Sequence, residues 1–203
     1  MMKGIKNVIF DFGGIIVDLN KQAAIDAFER LGFDAHSYIG QYVQSGIFNQ
    51  LELGLIPPAR FYDFIREDTG CCVSNEDIRM AWNSMLVRIP VERLQFIHAL
   101  QGEYRLFILS NTNSVHWEYA CQELLSTSDI KLHMPFEHLF LSYEMHMMKP
   151  DEEIYRSVLT SAHLLPEETL FIDDSVDNCE AAQKLGIQTF HSQNADDWRE
   201  LFK

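Results

Sequence analysis

Val8-Ile9-Phe10-Asp11-Phe12-Gly13-Gly14 is a short apolar run that ends on a carboxylate and two glycines. Consecutive rather than alternating apolar positions mark a strand covered on both faces, and the glycines mark a tight loop after it. Three later segments repeat this grammar: Leu106 to Leu109 runs into Ser110, Asn111 and Thr112, His138 to Leu141 into Ser142, and Leu170 to Ile172 into Asp173 and Asp174. Helical stretches separate them at Val91 to Leu100, Val115 to Leu125, Glu152 to Ala162 and Asn178 to Leu185, the last stopped by Gly186. Strands alternating with helices predict an α/β fold with a doubly wound parallel sheet. In such a sheet ligands gather outside the carboxyl ends of the strands, where Asp11, Ser110 and Asp173 all emerge.

Residues 19–88 break the alternation with amphipathic helical patterns, a Pro57-Pro58 break and no convincing buried strand. They read as a helical insertion that starts just after the first strand and loop, placed to cover the crevice as a lid. The expected organisation is a core of residues 1–18 and 89–203 with a cap subdomain of residues 19–88. Phe48, Asn49, Glu52, Gly54, Arg60 and Trp82 are the notable residues of the insert. Its aromatics read as core and Arg60 as a solvated charge, so none of them is assigned a role.

The chain has 203 residues, 47% of them apolar and 23% charged, which fits a folded globular protein with a sizeable core. Thirty acidic against sixteen basic side chains give a formal charge of −14, a balance that repels a phosphate backbone and excludes nucleic acid as the expected partner. No run approaches the length of a membrane span, and the start of the chain lacks the pattern of a signal peptide, so a cytoplasmic location is expected. Cys71, Cys72, Cys121 and Cys179 form no CxxC pair and read as reduced thiols.

The residues at the strand ends carry the chemistry. Asp11 is held at the end of a strand beside small residues that let backbone approach a ligand; the same setting also suits a turn or capping residue. Ser110 and Asn111 offer a hydroxyl, an amide and backbone donors at the level of phosphate oxygens, or else cap a helix. Lys149, before Pro150 and Asp151, either neutralises a nucleophile and a phosphate or is a surface lysine. Asp173 and Asp174 are adjacent carboxylates at a strand end, which repel unless a cation or a lysine relieves them. Magnesium suits them: it takes oxygen ligands, one or two carboxylates and substrate phosphate, with Asp11 and Asp174 as ligands, Asp173 in support and the Gly13 carbonyl as a further oxygen.

Taken together, Val8-Ile-Phe-Asp11-Phe-Gly-Gly-Ile15, Leu109-Ser110-Asn111-Thr112-Asn113, Met148-Lys149-Pro150-Asp151 and Phe171-Ile-Asp173-Asp174-Ser175 resemble the four motifs of the haloacid dehalogenase superfamily, in order and along nearly the whole chain. The similarity is to its subgroup with a helical cap after the first motif. The resemblance implies a Rossmann-like core in which Asp11 attacks phosphorus, Ser110 and Lys149 hold the transferring group, and Asp174 helps bind Mg²⁺. It implies a phosphatase for a small phosphorylated metabolite, a sugar phosphate among the candidates; from charge and hydropathy no nucleic acid or membrane is expected as partner, and the chain is expected as a monomer or homodimer.

One position departs from the pattern. Many phosphatases of the superfamily carry a second Asp two residues after the nucleophile as general acid and base, and here that position is Gly13. Loss of such a group costs about 100- to 10,000-fold in rate, so another group or water must move the proton. Asp18 is too far along the chain to be assumed in that role. The missing acid keeps two alternatives open: a metal-independent 2-haloacid dehalogenase, and a non-catalytic sensor of a phosphorylated ligand. A phosphosugar mutase fits less well, because those enzymes resemble the acid-containing motif. Crowding Asp173 and Asp174 near Asp11 serves a phosphate dianion and gains nothing for halide displacement.

Three weaker readings complete the sequence. His116 is expected to be a capping or surface histidine. Met145 to Met148 read as a flexible loop leading to Lys149, and Asp196, Asp197 and Trp198 as the start of a final short helix packed on the core.

Overall fold

In the computed structural model, which describes residues 4–70, 72–125 and 135–203, the apolar runs are strands and the loops after them face one way. The main strands are β1 (Asn7–Phe10), β4 (Arg105–Ser110), β5 (His138–Leu141), β6 (Thr169–Asp173) and β7 (Gln188–His191). Among the described residues they form one parallel sheet in the order β5-β4-β1-β6-β7. Side chains alternate across it. Val8, Phe10, Leu106, Ile108, Leu170 and Ile172 pack on one side with α5 (Val91–Leu100) and Trp198. Ile9, Phe107, Leu109 and Phe171 pack on the other with α8 (Glu152–Ser161) and α9 (Val176–Gln183). Burial on both faces explains the unbroken apolar runs.

β1 lies at the centre, with β4 on one side and β6 on the other, so the chain reverses its winding direction there. Phe10 is in register with Ile108 of β4 and Ile172 of β6, and Asp11 N–H donates to the Ile172 carbonyl at 2.9 Å. Three strand ends therefore open onto one crevice at a common level.

The insert holds α1 (Lys21–Arg30), α2 (Gly46–Glu52), α3 (Pro58–Thr69) and α4 (Asn75–Asn83). Local chemistry sets their limits. Asn20 Oδ1 accepts from Ala23 N–H to cap α1, Pro58 opens α3 and Gly70 closes it at φ +60, and Ser74 and Asp77 form a capping box on α4. Phe28, Phe48, Phe61 and Trp82 are fully buried against one another, with Phe48 edge-on to Phe61 and to Trp82 at 4.8 Å. Arg60 is exposed and pairs with Glu67.

The structure differs from the sequence reading at several points. Leu86–Arg88 is a strand, β3, pairing antiparallel with β2 (Asp18–Leu19); with Val87 and Arg88 exposed it is not the buried strand that residues 19–88 were read to lack. Two to three residues are too few to show a pattern. β7 was not expected because its Gln-Thr-Phe-His sequence lies half-exposed at the sheet edge. The helix expected over Val115 to Leu125 is α6 (Ser114–Tyr119), passing into a wider π-type turn over Ala120–Leu124. Met145 ends a short helix, α7 (Ser142–Met145), and His146 to Met148 form the loop leading to Lys149, with Met148 buried. As expected, a final short helix, of 3₁₀ type, runs over Asp197–Phe202 and packs on the core through the fully buried Trp198. Cys72, Cys121 and Cys179 are free thiols, and Cys71 lies outside the described residues. Among the described residues no helix is long and apolar enough to cross a membrane.

Candidate active site

The end of β1 delivers Asp11 into the crevice, where its Oδ1 accepts from the Phe12 N–H at 2.7 Å and lies 2.8 Å from the Lys149 ammonium. The same ammonium lies 2.6 Å from Asp173 Oδ2 at the end of β6. Lys149 is 1% exposed, so it is a buried cation between two carboxylates and not a surface lysine. Burial opposes its charge, but Asp11 and Asp173 outweigh that and hold the ammonium above the ordinary lysine range.

Asp173 is fully enclosed, with Oδ1 accepting from the Ser175 N–H at 2.8 Å and the Asn178 amide donating to both oxygens at 3.0 and 3.1 Å. Its oxygens are therefore already engaged. Asp174 is different: it is partly exposed, and its carboxylate accepts from its own backbone N–H and from no side chain among the described residues. It rests on Gly14, where φ is +75 and an added Cβ would lie 2.4 Å from Asp174 Oδ2. Only glycine permits that approach.

Oxygens of Asp11, Asp173 and Asp174 lie within 4.8 Å of one another. Burial pushes the Asp11 carboxyl up to about 7 against the pull of Lys149, with Asp173 and Asp174 adding repulsion. Asp174 is raised by burial and by Asp173. Lys149, even with Lys21 nearby, leaves the raised Asp11 and Asp174 carboxyls short of positive charge, and a divalent ion at these oxygens would restore both to their ionised form. The donors fit magnesium. Asp11 Oδ2 and the Asp174 carboxylate are free to bind it, which satisfies its preference for one or two carboxylates with water and phosphate.

The remaining residues expected from the sequence sit around this cluster. Ser110 and Gly13 line the same crevice. Asn111 lines it too, but its amide is occupied: Nδ2 donates to the Lys149 carbonyl at 2.8 Å and Oδ1 accepts from the Lys149 N–H at 2.9 Å. His116 is not at the surface. It is buried, stacks on Trp82 at 4.3 Å, and its Nε2 lies 3.2 Å from the Trp82 carbonyl. The Asn113 amide lies 3.3 Å from Nδ1, a pairing that fixes the neutral Nε2–H tautomer, and burial lowers its pKa to about 3. Asp18 is drawn away toward Arg88 and Arg93.

Sequence reasoning missed Lys21 and Gln44 of the insert, Thr112, and Asn178 of α9 as lining residues. The Ser175-x-x-Asn178 spacing was the available signal for the last, since Ser175 caps α9 and leaves Asn178 facing back to Asp173. Lys21 carries no such signal. Burial lowers its pKa while Asp174, Glu52 and Asp11 draw on its charge.

A buried lysine bridging two strand-end carboxylates, with a third carboxylate free beside them, defines an α/β protein built to meet an anionic group. The chain belongs to the haloacid dehalogenase-like hydrolase family, which it matches over residues 8–191. It is 35% identical to the D-ribitol-5-phosphate phosphatase of Bacteroides thetaiotaomicron, over 97% of this chain and 96% of that protein. The crystal structure of a wild-type HAD family enzyme from the same organism, in complex with magnesium and inorganic phosphate, superposes with a TM-score of 0.91 at 42% identity, covering 98% of this chain and 100% of that one. A HAD-like family hydrolase from Porphyromonas gingivalis gives a TM-score of 0.90 at 30% identity, covering 98% and 96%.

Proposed function

We propose that this chain is a magnesium-dependent phosphatase that hydrolyses a small phosphorylated sugar or sugar alcohol through an aspartyl-phosphate on Asp11. The observation that carries the reading is the Asp11–Lys149–Asp173 chain of contacts with Asp174 free at its edge, at the carboxyl ends of adjacent parallel strands. The phosphatase relative and the magnesium and phosphate complex of the related enzyme support it.

In this mechanism an Asp11 carboxylate oxygen attacks phosphorus in line with the ester oxygen, forming the aspartyl-phosphate that water then hydrolyses. Lys149 is fixed as a cation and offsets charge on both Asp11 and the phosphoryl group. Ser110 donates to a phosphate oxygen. Asp11 and Asp174 hold Mg²⁺, which when bound neutralises the dianion and the clustered carboxylates. Asp173 keeps Lys149 charged and aimed. Residues 1–18 and 89–203 form the catalytic core and residues 19–88 the cap, which supplies Lys21, Gln44 and Glu52 to the crevice. Asp173 and Asp174 also weigh against halide displacement, which would gain nothing from two further anions beside its nucleophile.

A release assay over sugar phosphates, sugar alcohol phosphates, nucleotides and 2-haloacids, with magnesium or with chelator, tests this. Phosphate release that needs magnesium and favours the sugar and sugar alcohol esters is expected. Halide release, or phosphate release indifferent to chelator, overturns the reading.

A further inference from the structure

Cleaving an alkyl phosphate requires a proton for the leaving oxygen and later a base for the attacking water. Position 13 cannot supply them: it is glycine, and an added Cβ there would press on Leu19 Cδ1 at 3.0 Å. Besides Asp11, Lys149 and Asp174, the crevice is lined by the titratable side chains of Lys21, Tyr42, Glu52 and His116. His116 is committed, with both ring nitrogens paired. Tyr42 is 41% exposed and its ring faces the Lys21 ammonium at 5.3 Å. Lys21 serves as counter-charge to Asp174, Glu52 and Asp11.

Glu52 remains. It ends α2, is 4% exposed, and its carboxyl makes no hydrogen bond among the described residues. A buried acid whose carboxyl has no hydrogen-bond partner and only the Lys21 charge to offset it, lining an active-site crevice, is costly to keep for packing alone. Its position is fixed from the core side. Ser142 Oγ donates to the Glu52 carbonyl at 2.6 Å and accepts from the Thr112 N–H at 2.9 Å, tying Glu52 to the loop after Ser110. His146 Nδ1 lies 2.8 Å from the Leu53 carbonyl, and Gly54 packs so closely that a Cβ would lie 2.0 Å from the Tyr143 carbonyl oxygen.

We propose that Glu52 is the proton-transfer residue of this phosphatase, filling from the insert the role that Gly13 leaves vacant in the core; the inference rests on the phosphatase reading above. In the first step Asp11 bonds to phosphorus, the phosphorus–ester oxygen bond breaks, and the Glu52 carboxyl gives its proton to the departing oxygen, releasing the alcohol. In the second, water bonds to phosphorus, the Asp11–phosphorus bond breaks with its electron pair returning to the carboxylate, and the water proton passes to Glu52. The acid is regenerated and inorganic phosphate leaves. Burial, tempered by Lys21, pushes the Glu52 carboxyl up to about 8, so it carries the needed proton near neutral pH.

Glu52→Gln, compared with wild type on an alkyl phosphate and on p-nitrophenyl phosphate, whose phenolate leaves without a proton, tests this. Loss of about 100- to 10,000-fold in alkyl phosphate turnover is expected, while the first turnover of the aryl ester falls less than about 10-fold. A burst of nitrophenol should precede slow steady-state release, because the aspartyl-phosphate then waits for a base. Competitive inhibition by inorganic phosphate reports whether the variant keeps a folded site; if it does not, Glu52→Asp, which retains the acid, is compared on the same two esters. Alkyl turnover near the wild-type value, or equal first-turnover losses on both esters, overturns the role of Glu52. A wild-type chain that releases phosphate from neither ester overturns the phosphatase reading itself.

Discussion

Asn111 grips the Lys149 peptide from both sides, donating from Nδ2 to its carbonyl at 2.8 Å and accepting its N–H on Oδ1 at 2.9 Å. The loop after β4 thereby sets the height of the loop that carries Lys149, and through it the 2.8 Å contact with Asp11. Asn111→Ala is expected to lower kcat by about 10- to 100-fold with a smaller change in KM, because a misplaced cation costs most in the transition state. Steady-state kinetics on a preferred phosphate ester check this; an unchanged kcat removes Asn111 as the positioning residue.

Gly14→Ala puts a methyl group where Asp174 Oδ2 now sits and asks a side chain to adopt φ +75. Disturbing a residue that supports a metal ligand weakens metal binding by about 10- to 100-fold, so the magnesium concentration for half-maximal activity should rise by that order. A magnesium titration of activity reads it. An unchanged midpoint would take Asp174 out of the metal set.

His116 couples stability to acid. Its pKa falls from an ordinary 6.5 to about 3 in the folded chain because burial disfavours the charged ring. The unfolded chain therefore binds more protons between those values, so the stabilisation is complete above about pH 6.5 and is lost as pH falls toward 3. Each pH unit in that window costs up to ~1.4 kcal/mol from this residue. Urea unfolding at a series of pH values should show a shallower acid slope in His116→Gln than in wild type. Parallel slopes would mean that His116 is charged in the fold.

Phe48 is buried at the centre of the insert against Phe28, Phe61 and Trp82. Phe48→Ala should cost about 3–5 kcal/mol of unfolding free energy, measured by equilibrium denaturation. A loss below about 1 kcal/mol would mean that the insert collapses around the cavity or contributes little to the cooperative unit.

The runs at β1, β4 and β6 were legible because strands buried on both faces must be apolar throughout, β5 was legible at its edge from Leu139-Phe140-Leu141, and the residues that follow them were legible because the sheet sends them to one crevice. β7 was not, since an edge strand half in solvent has no such constraint, and the ribbon of β2 and β3 is too short to show a period. Charged and polar side chains hid more. Lys21 in the first turn of α1 resembles any solvated lysine, and its partners Asp11, Glu52 and Asp174 are spread over the chain. Asn111 was visible as a polar residue at the site, but whether its amide meets phosphate or backbone depends on the loop at Lys149, 38 residues away. His116 is equally mute in sequence, because its burial depends on Trp82 of the insert.

The most direct measurement follows phosphate through Asp11. Wild type quenched in acid during turnover should carry one phosphoryl group on the peptide containing Asp11, detected by mass spectrometry. Asp11→Asn should carry none and lose phosphate release by about 10,000-fold or more, as expected when a nucleophile is removed. A variant that keeps magnesium-dependent release near the wild-type rate, or a phosphoryl group found on another residue, would contradict the role given to Asp11.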